Sequence, residues 1–576
     1  MNFVVSWHGF EESVPLNSCV RIGYLLLSFV VFPVLLGYMQ LMLTIPLKYP
    51  IGIIGGCISS SILATWNHTT VREFFTGTFI FFLMLLMSAF LFDFSYDGQA
   101  YHQLAAFELA NGWNPFWDAP EKVNLWTAVY PKALWIYAGM WYSLTGSLLI
   151  GKVYNLVFLF VAIVFCWEII EKVFTNNKWL CIVLLFLLVF NPVVTAQIFS
   201  YYNDGTMYLL ILLLVSLVYL HLCSEEEETF GEENNNIFIV GLLIVLCNVK
   251  FTGFIYACVF ALGAVVAIWL KRKNCSQWKR QGMMLLLGIV LGGTVMGFNP
   301  YVTNMVRHGH PFWPLMGKDT VDIITTHEHP EFQSYNRFVK VLWSQFAEMR
   351  NFDGFEREEV AEKYGTPKIK MLGAISIEEI HTAVNYDTRI GGFGPWFNMV
   401  LVLCFFILSW GAYRRIFTPM EWWILFIVLG SVLLNPECWI ARYVPQFYLF
   451  PILPILFCVW HRLFSSLWIG LLLFFLIVNS GFMTMIGIGK QVAWEYRYHK
   501  DIFSLQEEFE ISGEPFYVYF SDFPMDRITC FERYDIPYIV LEEDNVPQKL
   551  EPRFLSGTNK KVMIYECGEL LKRDGG

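Results

Sequence analysis

Thirteen long apolar runs constrain this chain more than any other feature of its sequence. Runs of about 18 to 25 apolar residues are long enough to cross a lipid bilayer as helices. The sequence therefore predicts a polytopic α-helical membrane protein with about 11–13 transmembrane helices. The runs are at residues 20–43, 51–66, 74–92, 151–170, 178–196, 205–223, 237–249, 251–270, 281–298, 396–412, 420–435, 444–461 and 464–487.

The composition supports a membrane protein and argues against a nucleic-acid-binding one. Hydrophobic residues make up 56% of the chain and charged residues only 15%, whereas soluble domains carry about 25% charged residues. The formal net charge is −10, and no basic patch dominates, so nucleic acid is not an expected partner. The N-terminus lacks the basic start and cleavage site of a signal peptide, so we expect the first apolar run to be retained.

Lysine and arginine in the short loops predict the orientation of the chain. The strongest basic loop is KRKNCSQWKR at 271–280, supported by Arg414 and Arg415. Placing these loops in the cytoplasm puts the N-terminus inside and the C-terminus outside. The acidic segment 225–236 then lies in the cytoplasm as a solvated linker. The expected location is the plasma membrane of a bacterium.

This topology predicts two domains. Residues 1–487 form the transmembrane domain, which includes two outer loops, 93–150 and 299–395. Residues 488–576 contain the short apolar runs FYVYF, YIVL and KVMIY between turn residues, a pattern typical of a small extracytoplasmic α/β domain. Within the first outer loop, GQAYHQLAAFELANG and YPKALWIYAGMWYSLTG predict two amphipathic helices along the membrane surface.

Polar residues recur in the segments that this topology places outside. The stretch FLFDFSYDGQAYHQ ends an apolar run with Asp93 and Asp97, and Asn111-Gly112 ends the helix that follows. Four more motifs follow along the chain. They are Pro131-Lys132 in VYPKALW, Asn203-Asp204 in YYNDGTMY, Lys250 in NVKFTGF and Arg442-Tyr443 in ARYVPQFY.

These motifs, in this order, resemble those of the GT-C glycosyltransferases, particularly the branch of protein O-mannosyltransferases and lipid A aminoarabinose transferases. The resemblance covers about residues 74–460. It aligns Asp97, Lys132, Asp204, Lys250 and Arg442-Tyr443 with the family's motif positions. It implies a polytopic enzyme that takes a sugar from a polyprenyl-phosphate donor on the outer face, with membrane lipids around it and a glycan, lipid or protein as acceptor. A single displacement with inversion at the anomeric carbon is implied by the family.

The chain departs from the family pattern at two places. Gly98 stands where the family has a second acidic residue, and two extra spans precede the first outer loop. The first change weakens the case for a metal site or base built on an Asp-Glu pair. The resemblance requires no cofactor, and it leaves open whether the site binds a divalent metal ion.

Sugar transfer from a lipid phosphate needs a base for the acceptor hydroxyl and cations for the departing phosphate. We expect Asp97 to be the base, with Asp93 and Asp204 as helpers or metal ligands. The expected phosphate-binding cations are Lys132, Lys250, Arg442 and Arg389, the last from the glycine-rich stretch YDTRIGGFGPW. The expected substrate-binding residues are Tyr96, Tyr101, His102, His308, His310 and Tyr443.

Each of these residues also has an ordinary structural interpretation. Asp97 could cap the helix that follows it, and Asp204 could be a turn residue between Asn203 and Gly205. Arg442 and Lys250 could mark helix ends at the interface. In the second outer loop, two His-x-His pairs could hold zinc, although their spacing is not diagnostic. These pairs are His308 with His310 and His327 with His329.

Two other functions compete with the glycosyltransferase. A lipid-linked glycan transporter or flippase would carry charge near the bilayer midplane and often shows inverted repeats, whereas here the spans are nearly free of ionisable residues. An O-antigen ligase or polymerase-type transferase would use a late outer loop with Arg and His, as loop 299–395 offers. Cys530 and Cys567 could pair if the C-terminal region is extracytoplasmic.

Overall fold

The computed structural model describes residues 17–173, 177–223, 229–272, 275–322, 328, 330–350, 367–383, 385–463, 467–547 and 550–565. The chain begins with three helices, α1 (Ser18–Met42), α2 (Ile51–Trp66) and α3 (Val71–Phe90). Three shorter helices follow, α4 (Gln103–Ala110), α5 (Leu125–Val129) and α6 (Ala133–Thr145). A π-helical turn, Gly98–His102, leads into α4.

The middle of the chain is also helical. Its first part contains α7 (Tyr154–Val173), α8 (Lys178–Val189), α9 (Pro192–Gln197), α10 (Asp204–Cys223), α11 (Thr229–Cys247), α12 (Phe251–Arg272) and α13 (Cys275–Val290). The second long loop contains α14 (Thr303–His308), α15 (Pro330–Gln333), α16 (Arg337–Phe346) and α17 (Ile377–Thr382). The last helices are α18 (Phe397–Arg414), α19 (Pro419–Leu433), α20 (Leu449–Trp460) and α21 (Leu467–Ser512).

The predicted apolar runs fall on these helices, which together make a polytopic membrane protein. Run 178–196, predicted as one span, is divided between α8 and α9. In the described part of the chain, seven helices are long and apolar enough to cross a membrane, or eight if the pair Trp278–Val295 and Phe298–His308, bent by 65°, is one span. The other predicted runs fall on five shorter apolar helices. Residues 237–270 form a hairpin of α11 and α12, with Lys250 in the turn between them.

The first outer loop differs from its prediction in one helix. Residues Ala133–Trp141 of α6 are all buried, so this helix does not present the exposed polar face expected of an amphipathic surface helix. The reason is that its sequence, ALWIYAGMWYSLT, is apolar nearly all round, and such a helix is stable only inside a protein. It packs between α1 and α4.

The C-terminal region forms the predicted small domain. Its sheet contains β1 (Phe516–Phe520), β2 (Tyr538–Val540), β3 (Arg553–Phe554) and β4 (Val562–Tyr565), in the order β2-β1-β4-β3. Strands β1 and β2 are parallel and the other pairs are antiparallel. The three predicted apolar runs are β1, β2 and β4. Helix α21 continues past the predicted span end at 487 to Ser512, so one helix joins the two domains.

This domain packs directly on the segment that follows α3. Phe92 stacks on Tyr498 of α21 with ring centroids 4.3 Å apart. The Gln99 amide donates a hydrogen bond to the backbone carbonyl of Gly557 (3.0 Å), and the Tyr96 hydroxyl donates one to Asp522 (2.8 Å). The domain therefore helps to position residues 92–99.

Candidate functional site

Arg442 lies at the centre of a cluster of carboxylates that come from distant parts of the chain. Its Nε atom is 2.5 Å from Asp387 Oδ1, and its Nη1 atom is 3.4 Å from Asp97 Oδ2 and 3.8 Å from Asp204 Oδ2. The Arg442 side chain is 9% exposed. A buried arginine of this kind is stable only because carboxylates compensate its charge.

Two further cations complete the cluster. Lys250 Nζ is 2.5 Å from Asp204 Oδ1, and Arg389 Nη2 is 3.3 Å from Asp387 Oδ2. Three carboxylates thus face three cations, and their formal charges cancel. The positive groups are held in place before any ligand arrives, which is the arrangement that stabilises a developing anion best.

The cluster residues stand at one end of the helical bundle. Asp204 is the first residue of α10 and Lys250 directly precedes α12. Asp387 and Arg389 lie in the loop before α18, and Arg442 lies in the 3₁₀ turn Ala441–Tyr443 between α19 and α20. Helix α3 ends on the same side, so that Asp97 joins the group. This is the end that the charge pattern predicts to be extracytoplasmic.

The contacts of Asp97, Lys250 and Arg442 argue against two of the ordinary structural interpretations, helix capping by Asp97 and snorkelling by the two cations. Asp97 occupies the N-cap position of the turn Gly98–His102, but its side chain makes no capping hydrogen bond and contacts Arg442 instead. Lys250 and Arg442 pair with carboxylates and are largely buried, whereas snorkelling residues extend their charged ends into water.

Aromatic rings enclose the cations. The Arg442 guanidinium lies 4.9 Å from the Tyr202 ring centroid and 5.0 Å from that of Tyr443, and Lys250 Nζ lies 4.4 Å from the Tyr443 centroid. The Tyr443 hydroxyl accepts a hydrogen bond of 3.4 Å from Arg442. Rings at these distances add cation–π attraction and restrict the two side chains to one geometry.

His102 and Tyr101 lie beside this cluster. The Tyr101 and His102 rings stack with centroids 4.3 Å apart, and His102 Nδ1 accepts a hydrogen bond of 2.7 Å from the Trp135 indole. Burial, together with the charges of Lys250 and Arg442, lowers the pKa of His102 well below its ordinary value. The imidazole is therefore neutral, and its proton resides on Nε2, where it can be donated.

Asp97 is the most accessible of the three carboxylates. Its side chain is 25% exposed, against 9% for Asp387 and 0% for Asp204. Burial raises the pKa of Asp97 above its ordinary value, and Asp387 raises it further, while Arg442 and Lys250 oppose the shift. A carboxylate that is reachable and more basic than usual suits a general base.

A narrow pocket opens beside Arg442. It lies between α9, the loop before α18 and α21, and its lining is mostly apolar. The lining residues are Pro192, Val193, Ala196, Asn385, Tyr386, Thr388, Gly392, Ala441, Arg442 and Met483. This side of the guanidinium therefore faces apolar groups, whereas the other sides face carboxylates and rings.

Asp93 does not join the cluster. Its Oδ1 atom accepts hydrogen bonds from the Ser95 backbone N–H (3.0 Å) and hydroxyl (2.6 Å), and its Oδ2 atom accepts one from the Tyr201 N–H (2.9 Å). A Cβ atom at Gly98 would overlap Asp93 Oδ2 and Ser95 Oγ. The close approach of Asp93 and Ser95 thus explains why a glycine stands at position 98.

The Asp93→Asn variant is expected to fold less stably because an amide nitrogen would face a backbone or hydroxyl donor. Leaving one buried donor unsatisfied costs about 1–3 kcal/mol. Thermal unfolding of the purified protein in detergent, followed by tryptophan fluorescence, measures the loss. Asp118→Asn, at a more exposed aspartate in the same loop whose partner Lys122 is 60% exposed, is the control. An Asp93→Asn protein as stable as the wild type would contradict this structural role.

Other expected site residues also have separate partners. Lys132 Nζ is fully buried and donates hydrogen bonds to the carbonyls of Ala128 (3.1 Å) and Tyr130 (2.6 Å) and to Asn299 Oδ1 (2.5 Å). It therefore ties the start of α6 to the segment before α14. Tyr96 faces the C-terminal domain through Asp522.

The histidines of the second outer loop have local contacts. His308 is exposed and stacks on Trp313 with centroids 3.6 Å apart, and His310 Nδ1 accepts a hydrogen bond from the Phe312 N–H (3.2 Å). His327 and His329 lie outside the described residues, as does Cys567, while Cys530 is a buried free thiol. Among the described residues, no group of three or more His, Cys, Asp or Glu side chains could hold a metal ion.

Sequence reasoning missed several members of the cluster. Asp387 stands two residues before Arg389 in the quoted stretch YDTRIGGFGPW, and Tyr202 stands in FSYYNDG, but neither was singled out. Gln197, whose amide lies 3.4 Å from Asp204 Oδ2 and accepts a hydrogen bond from the Gly205 N–H (2.8 Å), was also missed. Of these three residues, Asp387 could have been found from the sequence, because it is an acidic residue two positions before the candidate Arg389.

Comparisons of the chain with protein-family models, with curated proteins and with solved structures found no match.

Proposed function

We propose that this protein is a membrane glycosyltransferase that moves a sugar from a polyprenyl-phosphate donor to an extracytoplasmic hydroxyl acceptor, with Asp97 as the general base. One observation carries the proposal. The accessible carboxylate of Asp97 lies against Arg442, in a cluster that also contains Asp204, Lys250 and Arg389. Four residues expected from the motif resemblance, together with Arg389, thus meet at one end of the helices.

The proposed reaction assigns a role to each charged group. The acceptor oxygen attacks the anomeric carbon of the donor, and its proton passes to Asp97. The bond between the anomeric carbon and the phosphate oxygen breaks, which leaves an additional negative charge on the polyprenyl phosphate. Arg442 and Lys250 stabilise that charge. Neutral His102, with its proton on Nε2, can donate a hydrogen bond to a sugar hydroxyl.

The carboxylate partners of the cations suit this scheme. Asp387 and Asp204 are nearly inaccessible and orient Arg442 and Lys250. Among the described residues, the Asp97 side chain forms only the long 3.4 Å contact to Arg442. A loosely held base at the rim can turn toward an acceptor without disrupting the buried pairs.

A second candidate is a ligase-type transferase that moves a whole glycan from a lipid diphosphate. The observation that favours it is the position of Arg389 and Asp387, which bring the long outer loop into the cluster. The two candidates differ in the donor, so a panel of lipid monophosphate and diphosphate sugars separates them.

Both candidates require the cluster to lie outside the cytoplasm, and labelling of single cysteines tests this. All thirteen native cysteines, of which Cys19 and Cys57 are exposed, are first replaced by serine or alanine. A Trp117→Cys residue, in the first outer loop, is expected to react with a membrane-impermeant maleimide in intact cells. A Tyr413→Cys residue, near the basic pair Arg414-Arg415, is expected to react only after permeabilisation. Both positions are exposed, and the reversed result would end the glycosyltransferase interpretation.

A further inference from the structure

Helix α16 has its polar face inside the protein and its apolar face outside. Lys340, Ser344 and Gln345 are buried, whereas Phe338 is 52% exposed and Leu342 is 59% exposed. A helix on a water-facing surface normally has the opposite arrangement.

Two residues of the buried polar face, Lys340 and Ser344, have polar partners, whereas the Gln345 amide has none among the described residues. Lys340 Nζ forms an ion pair of 2.9 Å with buried Glu328, and the Ser344 hydroxyl donates a hydrogen bond of 2.8 Å to the Trp439 carbonyl. Ser344 also accepts a long hydrogen bond, 3.4 Å, from the Gly391 N–H. These contacts fix the rotation of α16, so its apolar face cannot turn inward.

The apolar face extends into the neighbouring strand-like segment. Ile369 lies beside α16 and lines a groove with Val339, Leu342, Trp343 and Phe346. Ile369 is 56% exposed and Met371 is 79% exposed. A contiguous apolar surface of this kind usually marks an interaction site.

This surface adjoins helix α18, which is long and apolar enough to cross a membrane. Helix α16 packs on α18, and the Trp396 indole, directly before α18, donates a hydrogen bond of 3.0 Å to the Gly373 carbonyl. Farther along α18, Phe405 and Phe406 are also exposed. A tryptophan at this position is typical of the boundary between lipid and water.

We propose that α16 and residues 369–372 are inserted into the outer leaflet, with lipid acyl chains against Phe338, Leu342 and Met371. The continuity with α18 favours lipid over a protein partner. Exposed Arg337 and Lys368 flank the patch, and basic residues at the edge of an inserted apolar face bind phosphate headgroups. The inserted helix then contacts lipid on one side and, through Ser344, the backbone next to Arg389 and Arg442 on the other.

Lipid quenching of a fluorophore on α16 tests this proposal without using any enzymatic activity. The full-length protein, with its thirteen native cysteines replaced by serine or alanine, carries a bimane label on Leu342→Cys and is placed in nanodiscs with lipids brominated in their acyl chains. We expect a loss of fluorescence as large as for a label at Phe79→Cys, on an exposed position of α3. A label at Val540→Cys, exposed on β2, is expected to lose none.

Two results would overturn the proposal. Quenching of the Leu342 label by aqueous iodide but not by brominated lipid means that the face lies in water. Protection from both quenchers means that protein covers it, either this chain or a second copy. A Phe338→Cys label on the same face repeats the test if the first variant does not fold.

Discussion

Replacement of Asp97 by asparagine is expected to lower sugar transfer by about 10²–10⁴-fold, the usual contribution of a general base. The amide cannot take the acceptor proton. The fold should persist because Asp97 caps no helix and its only hydrogen bond to a charged group in the described structure is the 3.4 Å contact with Arg442. Transfer to membranes of a deletion strain, with the amount of folded protein measured by gel filtration, gives the activity per molecule.

The matched control is Asp118→Asn, in the same outer loop. Asp118 pairs with an exposed lysine four residues away, and such surface pairs contribute little. This variant should transfer sugar at close to the wild-type rate. Retention of full activity by Asp97→Asn would move the base to another residue.

Replacement of Arg442 by glutamine is expected to reduce both stability and activity. Removing the cation from a buried ion pair costs about 3–5 kcal/mol because the carboxylates lose their compensation. Asp387 and Asp204 keep one cation each, Arg389 and Lys250, whereas Asp97 loses its ion-pair partner. Thermal unfolding in detergent measures the first effect, and donor turnover by the folded fraction measures the second.

Two variants separate the structural and chemical parts of this loss. Arg553→Gln removes an arginine whose pair with Glu508 is about one-third exposed on both sides, so its effect on stability should be about 0–1 kcal/mol. The double variant Arg442→Gln with Asp387→Asn removes the carboxylate closest to Arg442, which restores the balance of formal charges in the cluster, and should regain stability without regaining activity. Recovery of activity in the double variant would show that Arg442 is only structural.

The helical fold could be predicted because apolar length is a local property. The runs that predicted spans coincide with helices, and the apolar pentapeptide FYVYF is strand β1. The residue at which each helix ends was harder to predict from the sequence. Helix α3 stops at Phe90, so Asp93 and Asp97 both lie beyond its end.

The site could be predicted where a charged residue interrupts apolar sequence at a helix end. Asp204, Lys250 and Arg442 stand at such places and come together. Lys132 stands at a similar place and does not, because its partners are Asn299 and two backbone carbonyls. Sequence alone cannot distinguish these cases, since the pairing depends on which helix ends pack together.

The orientation of α16 also lay beyond the sequence. Its sequence, RFVKVLWSQF, shows that one face is apolar but not which face meets the protein. The choice is made by Glu328, Trp439 and Gly391, which supply partners for Lys340 and Ser344.

The most direct test of the account is turnover of a polyprenyl-phosphate sugar by the purified protein in nanodiscs, with an acceptor fraction from deletion-strain membranes. Phosphorus NMR distinguishes the phosphodiester donor from the phosphomonoester product. The account predicts that the wild type converts one donor of the panel to free polyprenyl phosphate while its sugar appears on the acceptor, and that Asp97→Asn does not. Absence of turnover with every lipid-linked sugar, or equal turnover by Asp97→Asn, would contradict it.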